Sequence, residues 1–551
     1  MPLEQSDTFR RYRAPQGDGQ ALIDPAWAAL PAVIQRNRRL VDNADCDLHG
    51  QSIASLAVRA RRNLLEQAIA YTRGYRDVSV TPPELRENPA LPIVLSGHQP
   101  QLYHPGVWYK NFVLGSLAKR VQGVGIHLVI DSDLCRGVSL RMPAGSLGQP
   151  RLENVAFDEP SAEVPFEERI IRDAATFRSF ADRAATTIAP FVDDPCLRSL
   201  WPHVLDRSRV HSNLGLCLAQ GRHALEGEWQ NETLELPQSA VCQLPEFSWF
   251  VAYLLTELPR FQIAHNSALA DYRQAHHLRN RAHPVPDLAT KAGWLEAPLW
   301  MWTADDPRRR PLYARQKGRQ IEITDRNERT FAVSLTRDGV AGGGVDQLME
   351  LAKRGIKIRT RALGTTLFAR LLLSDIFLHG IGGAKYDQVT DLIARRFFGF
   401  DLPEFATVSA TLRLPIDRPS SQAAEIPLSH TLRELRYHPE RFLGSNGSSL
   451  GADSTAVSEI VATKRRWVAL PKSPENAHER HLAISSANQA LQPYVEAHRA
   501  RVERKLEESD DRVRAAAILD SREYAFCLFP RRQIERLLVT LDSDFIEVTG
   551  R

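Results

Sequence analysis

The sequence predicts an α/β protein built on a parallel β-sheet, with inserted segments and a helical C-terminal arm. Apolar runs at Ile93–Leu95 and Ile126–Ile130 flank a helical pattern over residues 111–120, which is the order of a βαβ unit. A second apolar stretch runs into the glycine-rich loop 379–383 and a helix that we expect from about Tyr386. Segment 476–511 is charged and helical in pattern, which predicts the arm.

Length and composition limit the class of protein. A chain of 551 residues exceeds what one hydrophobic core usually organises, so more than one structural unit is expected. No apolar run reaches the roughly 18 residues of a membrane helix, and the net charge of only +4 gives no reason to expect nucleic acid. We expect small-molecule substrates and no membrane partner. The polar N-terminus favours a cytoplasmic protein.

The cysteines and basic clusters predict no special chemistry. The six cysteines stand singly, without C-x-x-C spacing, so they are expected to be reduced and mostly buried, with no metal site. His276, His277 and His283 also match no zinc spacing. The run Arg308-Arg309-Arg310 is short enough to be solvated surface.

Three regions are predicted along the chain. Residues 1–85 form a helical lead-in, because apolar residues recur at three- and four-residue intervals from Ile53 to Ile69. Residues 86–400 form the core, with insertions at about 140–350 that carry short strands (Val155–Phe157, Ile321–Ile323, Phe331–Leu335) and a helix near 250–258. Residues 401–551 form the helical C-terminal region.

The C-terminal region is predicted to contain a long helix or a short coiled-coil arm, kinked at Pro493. Its narrow apolar stripe consists of Leu482, Leu491, Val495 and Val502. Pairing of two copies through this arm would make a homodimer, which the sequence leaves open. The Gly/Ser-rich segment 444–454 reads as a lid or a linker.

The loop after the first predicted strand, LSGHQPQLYHPGVWYKN, is the first candidate site. At a strand end beside a helix start, His98 and His104 would flank a phosphate and donate hydrogen bonds to it, and Lys110 would add a point charge. Gly106 would let the backbone approach closely, and Trp108 offers a flat surface. The competing interpretation is a proline-shaped turn with histidines that serve the core.

Two further strand ends carry candidate residues. Asp131 and Asp133 follow the second predicted strand, where carboxylates bind a substrate amine, a ribose hydroxyl or Mg²⁺, although helix capping explains them equally well. The loop HGIGGAK, with Gly380, Gly382 and Gly383, suits anion binding through backbone N–H groups. It lacks the spacing of a P-loop or a dinucleotide fingerprint, so a tight packing turn remains the alternative.

Two of these segments together resemble the cysteine-adding enzymes of bacillithiol synthesis, the BshC family. The family's G-Q-Q or G-H-Q followed by G-P-L-Y-x-x-x-K is similar to Gly97-His98-Gln99 and the stretch 105–110 here. Its later G-G-P-G-E-x-A-Y turn is similar to residues 380–386. The two matches cover roughly a tenth of the chain, in an order and at a separation that the family shares.

The resemblance implies a Rossmann-like, nucleotidylyltransferase-like core with connecting insertions and a coiled-coil arm. It implies a ligase that uses ATP or a related nucleotide, with or without Mg²⁺, to activate a carboxylate that an amine then attacks. The catalytic residues would be His98, His104 and Lys110. The substrate would meet Asp131, Asp133 and Trp108. The nucleotide would meet Gly97, Gln99, Gly106, Gly380, Gly382, Gly383, Lys385 and Tyr386.

The sequence departs from the family at two places, which keeps other functions open. Ala384-Lys385 stands where the family has an acid, and D-S-D replaces its E-D-H-D run. The stretch from His104 to Val107 resembles the H-x-G-H signature of nucleotidylyltransferases, with valine at the last position. One alternative is a nucleotidyltransferase acting on a sugar or lipid precursor, since GHQP is similar to a motif of WbqC-like proteins. The other is a nucleotide-binding protein without catalysis.

Overall fold

The computed structural model describes residues 9–78, 91–280, 282–335, 341–416, 428–443 and 454–539. The fold is mixed α/β. Its strands are β1 Ala21–Asp24, β2 Ile93–His98, β3 Val124–Val129, β4 Ser139–Gly145, β5 Pro150–Ala156, β6 Leu234–Pro237, β7 Thr290–Lys291, β8 Trp294–Thr303, β9 Arg310–Lys317, β10 Gln320–Thr324, β11 Thr330–Val333, β12 Ile356–Thr360, β13 Ile376–His379 and β14 Ala406–Ala410.

The α-helices follow in chain order. They are Leu30–Asp42, Ile53–Arg73, Pro105–Arg120, Ala174–Ile188, Leu197–Ser208, Leu214–Glu228, Gln238–Val241, Pro245–Thr256, Leu258–Ala275, Ala341–Lys353, Ala362–Phe368, Ile381–Phe398, Leu428–Tyr437, Ser454–Ala469, Ala477–Leu519 and Arg531–Val539, with a π-helical turn at Ala369–Leu373. No helix among the described residues is long and apolar enough to cross a membrane.

The central sheet has the strand order β1-β14-β13-β2-β3-β6. The pairs β2–β3, β3–β6, β2–β13 and β13–β14 are all parallel, which confirms the predicted parallel βαβ unit at 93–130. The chain first moves from β2 through β3 to β6, and it later resumes on the other side of β2 with β13 and β14. The direction of winding therefore reverses between β2 and β13, and sheets of this kind bind ligands at the carboxyl ends of the strands beside such a reversal.

The two faces of this sheet differ in chemistry. One face is apolar and includes Leu95 and Ile126 in the main hydrophobic cluster. The opposite face carries Ser96, His127 and Glu235 in register across β2, β3 and β6, all fully or almost fully buried. Ser96 Oγ lies 3.0 Å from His127 Nδ1. A buried polar row of this kind needs partners from the covering helices, because an unpaired buried polar group is costly.

A second sheet arises within the predicted insertions. Its order is β11-β10-β9-β8-β12, with β7 also pairing with β8, and all of its pairs are antiparallel. The strands expected near 155, 321 and 331 are present as β5, β10 and β11, and the helix expected near 250 is Pro245–Thr256. That the strands β7 to β12 assemble into one six-stranded sheet was not predicted.

The region boundaries differ from those predicted from sequence. The described part of the predicted lead-in, 9–78, is not separate from the core, because β1 pairs antiparallel with β14 and so belongs to the central sheet. Of the described residues, those within 1–144, 152–415 and 521–551 form one compact unit, and those within 145–151 and 416–520 form the other. The C-terminal helical region therefore ends at 520, after which the chain rejoins the first unit.

The second unit is built around the helix Ala477–Leu519. The helices Leu428–Tyr437 and Ser454–Ala469 pack along it, and Leu435, Val495 and Val502 form its small apolar core. Pro493 lies inside this helix, and the helix continues on both sides of it. Leu482 is 51% exposed, so the apolar stripe is shorter than predicted. Of the Gly/Ser segment 444–454, only its last residue is among the described residues.

The helix Pro105–Arg120 packs closely against the end of β14. His104 caps its start, since its Nδ1 accepts from the backbone N–H of Gly106 at 3.1 Å. A Cβ on Gly106 would lie 2.2 Å from the carbonyl oxygen of Ala410. Glycine is therefore needed here for packing of helix on strand, which explains Gly106 without a ligand.

Replacing Gly106 with Ala should lower the free energy of unfolding by about 2–3 kcal/mol, because the new methyl group overlaps backbone atoms that cannot rotate away. Gly382→Ala is the matched control, since nothing lies within 4 Å of the added Cβ. Urea unfolding measures both. Equal stability of Gly106→Ala and wild type would contradict this packing.

Candidate functional site

His98 ends β2 and is held as a neutral hydrogen-bond acceptor. Its Nδ1 lies 3.2 Å from the carbonyl oxygen of Gln99, and since a carbonyl only accepts, Nδ1 carries the proton. Burial, together with the charge of Lys110, lowers the pKa of His98 to about 3. Its Nε2 therefore keeps a lone pair, and this tautomer cannot give a phosphate the hydrogen bond that the sequence analysis expected.

His104 and Trp108 turn out to serve the fold. The Nδ1 of His104 is used in the helix cap, and its Nε2 lies 4.0 Å from a carboxylate oxygen of Glu523. Trp108 is 1% exposed, and its indole N–H donates to Glu226 at 2.6 Å. Trp108 is a core residue with no surface for a substrate, contrary to the sequence-based expectation. The sequence around Trp108 does not indicate that this side chain is buried.

Lys110 brings a buried positive charge to the end of β2. Its Nζ donates to the carbonyl oxygen of Gly97 at 2.7 Å, and the residue is 2% exposed. Burial, aided by the charge of Arg222, lowers the pKa of Lys110 to about 7. In the described part of the chain no carboxylate forms an ion pair with it. An unpaired ammonium is unusual at such depth, where cations are normally paired.

His379, at the end of β13, forms a pair with Asp387. Its Nε2 lies 2.9 Å from Asp387, whose carboxylate also accepts from Arg370 at 2.6 Å and from Thr366 at 2.5 Å. Burial alone would raise the pKa of Asp387, but Arg370 and His379 outweigh it and hold that pKa well below its ordinary value. The carboxylate is thus ionised, so Nε2 carries the proton and Nδ1 is the acceptor.

The glycine loop begins beside this histidine. A Cβ on Gly383 would lie 2.7 Å from His379 Nδ1, so the ring and the first helical turn are in close contact. Because Leu378 pairs with Ser96 in the parallel ladder, His379 lies next to Gly97. The ends of β2 and β13 therefore bring the two sequence motifs together.

The helix after this loop starts earlier than predicted. It begins at Ile381 rather than near Tyr386, and Gly380 is its N-cap without a capping side chain. Gly380 and Gly382 have open space where a side chain would stand. Lys385 is exposed, and the ring of Tyr386 packs 5.8 Å from that of His283. The loop glycines lie next to the end of β13, whereas Lys385 and Tyr386 lie farther along the helix.

The two strand-end acids have different partners. Asp131 is 4% exposed and accepts from the backbone N–H of Ser239 at 2.9 Å, and burial together with the charge of Glu167 raises its pKa to about 7. Asp133 accepts from Gln99 at 2.9 Å and from Arg309 at 3.0 Å. Burial alone would raise the pKa of Asp133, but these hydrogen bonds lower it.

A cavity of about 260 Å³ opens beside Gln99 and Asp133. Its other wall includes Trp300, Arg309 and Arg361 from the second sheet and its loops. No sequence pattern indicated these residues, and Arg309 was expected on the solvated surface, yet its side chain is only 13% exposed. Nothing in the run of three arginines distinguishes the one that folds inward.

The sequence matches no protein-family model, and no curated protein matches it at a significant level. Among the described residues, no group of three or more histidine, cysteine, aspartate or glutamate side chains is placed to hold a metal ion. All six cysteines are free, and five of them are buried, as predicted.

Because no family model and no curated protein matches the sequence, the resemblance to the BshC family stays a proposal.

Replacing Lys110 with Met should remove a pH dependence of stability. With a folded-state pKa of about 7 against an ordinary 10.5, the unfolded chain binds more protons between these values, so Lys110 destabilises the fold most at pH 7 and least above pH 10. The stability of Lys110→Met relative to wild type should fall by on the order of 3 kcal/mol from pH 7 to 9.5, at about 1.4 kcal/mol per pKa unit.

Urea unfolding across this pH range measures the difference. Lys119→Met is the control, because Lys119 is exposed on the same helix. A constant difference between Lys110→Met and wild type would show that Lys110 keeps an ordinary pKa.

Proposed function

We propose that this chain is an ATP-dependent ligase with a Rossmann-like, nucleotidylyltransferase-type core, similar to the BshC enzymes, that activates a carboxylate and joins it to an amine. The observation that carries the proposal is the reversal of winding between β2 and β13. The strand-end loops with Gly97-His98 and His379-Gly380 meet there, at the place where sheets of this topology bind nucleotides.

Two features at this edge favour the phosphates of a nucleotide. The 18-residue helix Ile381–Phe398 starts there without a side-chain cap, so its first backbone N–H groups have no helical partner. Lys110 adds a charge with no carboxylate partner among the described residues. An anion near this ammonium would raise its lowered pKa, so binding at pH 7–8 would be accompanied by proton uptake.

The histidines supply acid–base chemistry. The amine must lose a proton as it attacks the activated carboxylate, and His379 Nδ1 is an acceptor whose ring Asp387 holds in place. Asp387 also stabilises the imidazolium that forms after proton transfer, as the acid of a catalytic triad does. His98 Nε2 is a second acceptor, at the adjoining end of β2.

A non-catalytic nucleotide-binding protein is the second candidate, and the strand-end acids favour it. Asp131 is bonded to Ser239, and Asp133 to Gln99 and Arg309. Both carboxylates are thus already engaged by protein donors, which disfavours a role as Mg²⁺ ligands. ATP turnover separates this candidate from the ligase, and transfer of the nucleotidyl group to a sugar or lipid would indicate the nucleotidyltransferase instead.

Replacing His379 with Gln or His98 with Ala should lower turnover by about 10²–10³, the cost of removing one preorganised group, with little change in ATP affinity. The assay measures release of pyrophosphate or ADP from ATP with cysteine and other amino acids and a panel of amines. His203→Ala is the control, since His203 lies partly exposed against Glu228.

Urea unfolding separates an effect on chemistry from an effect on the fold. Variants that keep wild-type stability and lose turnover support the proposal. If wild-type protein binds ATP but does not turn it over with any acceptor of the panel, the non-catalytic nucleotide-binding protein is favoured. If it does not bind ATP, both the ligase and the nucleotide-binding protein are excluded.

A further inference from the structure

The cavity at the end of β3 lies beside the candidate nucleotide site and has a different character. Gln99, Asp133 and Gln238 form its wall on the central sheet, and Trp300 and Thr360 form its wall on the second sheet. Its volume of about 260 Å³ is below the roughly 300–1,000 Å³ typical of pockets for drug-sized ligands. A nucleotide would not fit inside, whereas a molecule of amino-acid size would.

Two arginines converge on one tryptophan in this cavity. The guanidinium carbons of Arg309 and Arg361 lie 4.5 and 4.2 Å from the ring centroid of Trp300. Their side chains are 13% and 15% exposed. Stacking on the indole fixes both planar groups, and a fixed guanidinium is well suited to bind a carboxylate through two parallel hydrogen bonds.

Both guanidiniums keep donors that no group among the described residues accepts. Within the described part of the chain, Arg309 donates only through Nη1, to Ser132 and Asp133. Arg361 donates through Nη2 to Glu296 at 2.6 Å, and its buried Nε has no partner among the described residues. A buried donor without a partner calls for an explanation, and a ligand oxygen in the cavity supplies one.

His265 adds an acceptor to the same cavity. Asn266 Oδ1 accepts from the backbone N–H of Leu288, which fixes the amide orientation. Because that oxygen only accepts, His265 Nδ1, 3.1 Å away, must carry the ring proton, and Nε2 keeps its lone pair. Burial lowers the pKa of His265 to about 4, so the ring is neutral at pH 7.

We propose that this cavity binds a small organic carboxylate with an amino or hydroxyl group, whose carboxylate meets Arg309 and Arg361 and whose donor meets His265. The apolar lining residues Val285, Pro286, Leu288 and Pro298 limit the rest of the ligand to a short apolar body. The assignment deepens the proposed function and rests on it, because it makes the cavity the place of the second substrate.

Calorimetric titration of the full chain, with and without ATP, tests this assignment with alanine, lactate, acetate and inorganic phosphate as probes. Wild-type protein should bind alanine or lactate more tightly than acetate, which has no donor for His265. Arg309→Met should weaken the binding of all three carboxylates at least 10-fold. Arg361→Lys should also weaken binding, while its ammonium can still pair with Glu296.

Arg308→Met is the matched control, since Arg308 is the neighbouring arginine, 72% exposed and outside the cavity lining. It should leave every affinity unchanged. His265→Phe should remove the preference for alanine or lactate over acetate. Thermal unfolding of each variant checks that it is folded.

Three outcomes would overturn the assignment: no carboxylate binds with or without ATP, Arg309→Met binds as wild type does, or phosphate binds more tightly than any carboxylate. ATP binding is measured separately on the same protein preparations. Carboxylate binding without ATP binding would end the proposed ligase function, and with it the role of the ligand as second substrate, but carboxylate binding in this cavity would stand. ATP binding without carboxylate binding would end only the cavity assignment.

Discussion

The buried carboxylate of Asp375 fixes β13 against β2, and the candidate site depends on that alignment. Its Oδ2 accepts the backbone N–H of Ile93 at 2.7 Å, and its own N–H donates to the carbonyl oxygen of Ile93 at 2.9 Å, across 282 residues of sequence. Arg61 donates to Oδ1 at 2.9 Å. Parallel neighbours have no hairpin to set their register. These contacts therefore help to place Leu378 opposite Ser96, and with it His379 beside Gly97.

Several buried charges around this edge form ion pairs among the described residues, whereas Lys110 does not. The buried Arg370 forms ion pairs with Asp387 and Asp391, and Arg222 forms ion pairs with Glu226 and Glu235. Such pairs offset the cost of removing charges from water. Lys110 has only the Gly97 carbonyl oxygen as a partner among the described residues. Burial of a charge without a carboxylate partner lowers stability. Such a group at the carboxyl end of a parallel strand is typical of residues that bind a ligand.

The parts of the fold that the sequence predicts are those set by local pattern. The βαβ unit at 93–130 is confirmed because its apolar runs, helical spacing and loop lie within 40 residues of one another. The helix after Gly380 was placed too late, since glycine has low helix propensity although here it occupies the cap and first turn. The pairing of β13 with β2 depends on contacts between residues far apart in the sequence, and the hydrophobic periodicity of a single segment does not predict such contacts.

The candidate site was predictable only in part, for the same reason. Gly97, Gln99, Lys110 and the glycines after His379 meet at one edge, because parallel strands bring their carboxyl ends together. His104, Gly106 and Trp108 share the motif but serve capping and packing, and residue type does not reveal that difference. The cavity side chains Trp300, Arg309 and Arg361 come from a second sheet, whose assembly against the first no local pattern indicates.

A crystal structure of the protein soaked with a non-hydrolysable ATP analogue tests the central claim most directly. The triphosphate should lie between the Gly97–Gln99 loop and the start of the helix Ile381–Phe398, at the reversal between β2 and β13. Its oxygens should accept from backbone N–H groups of that helix, and its charge should lie near Lys110. An analogue bound elsewhere on the molecule, or an empty edge at a saturating concentration, would contradict the assignment of this edge as a nucleotide site.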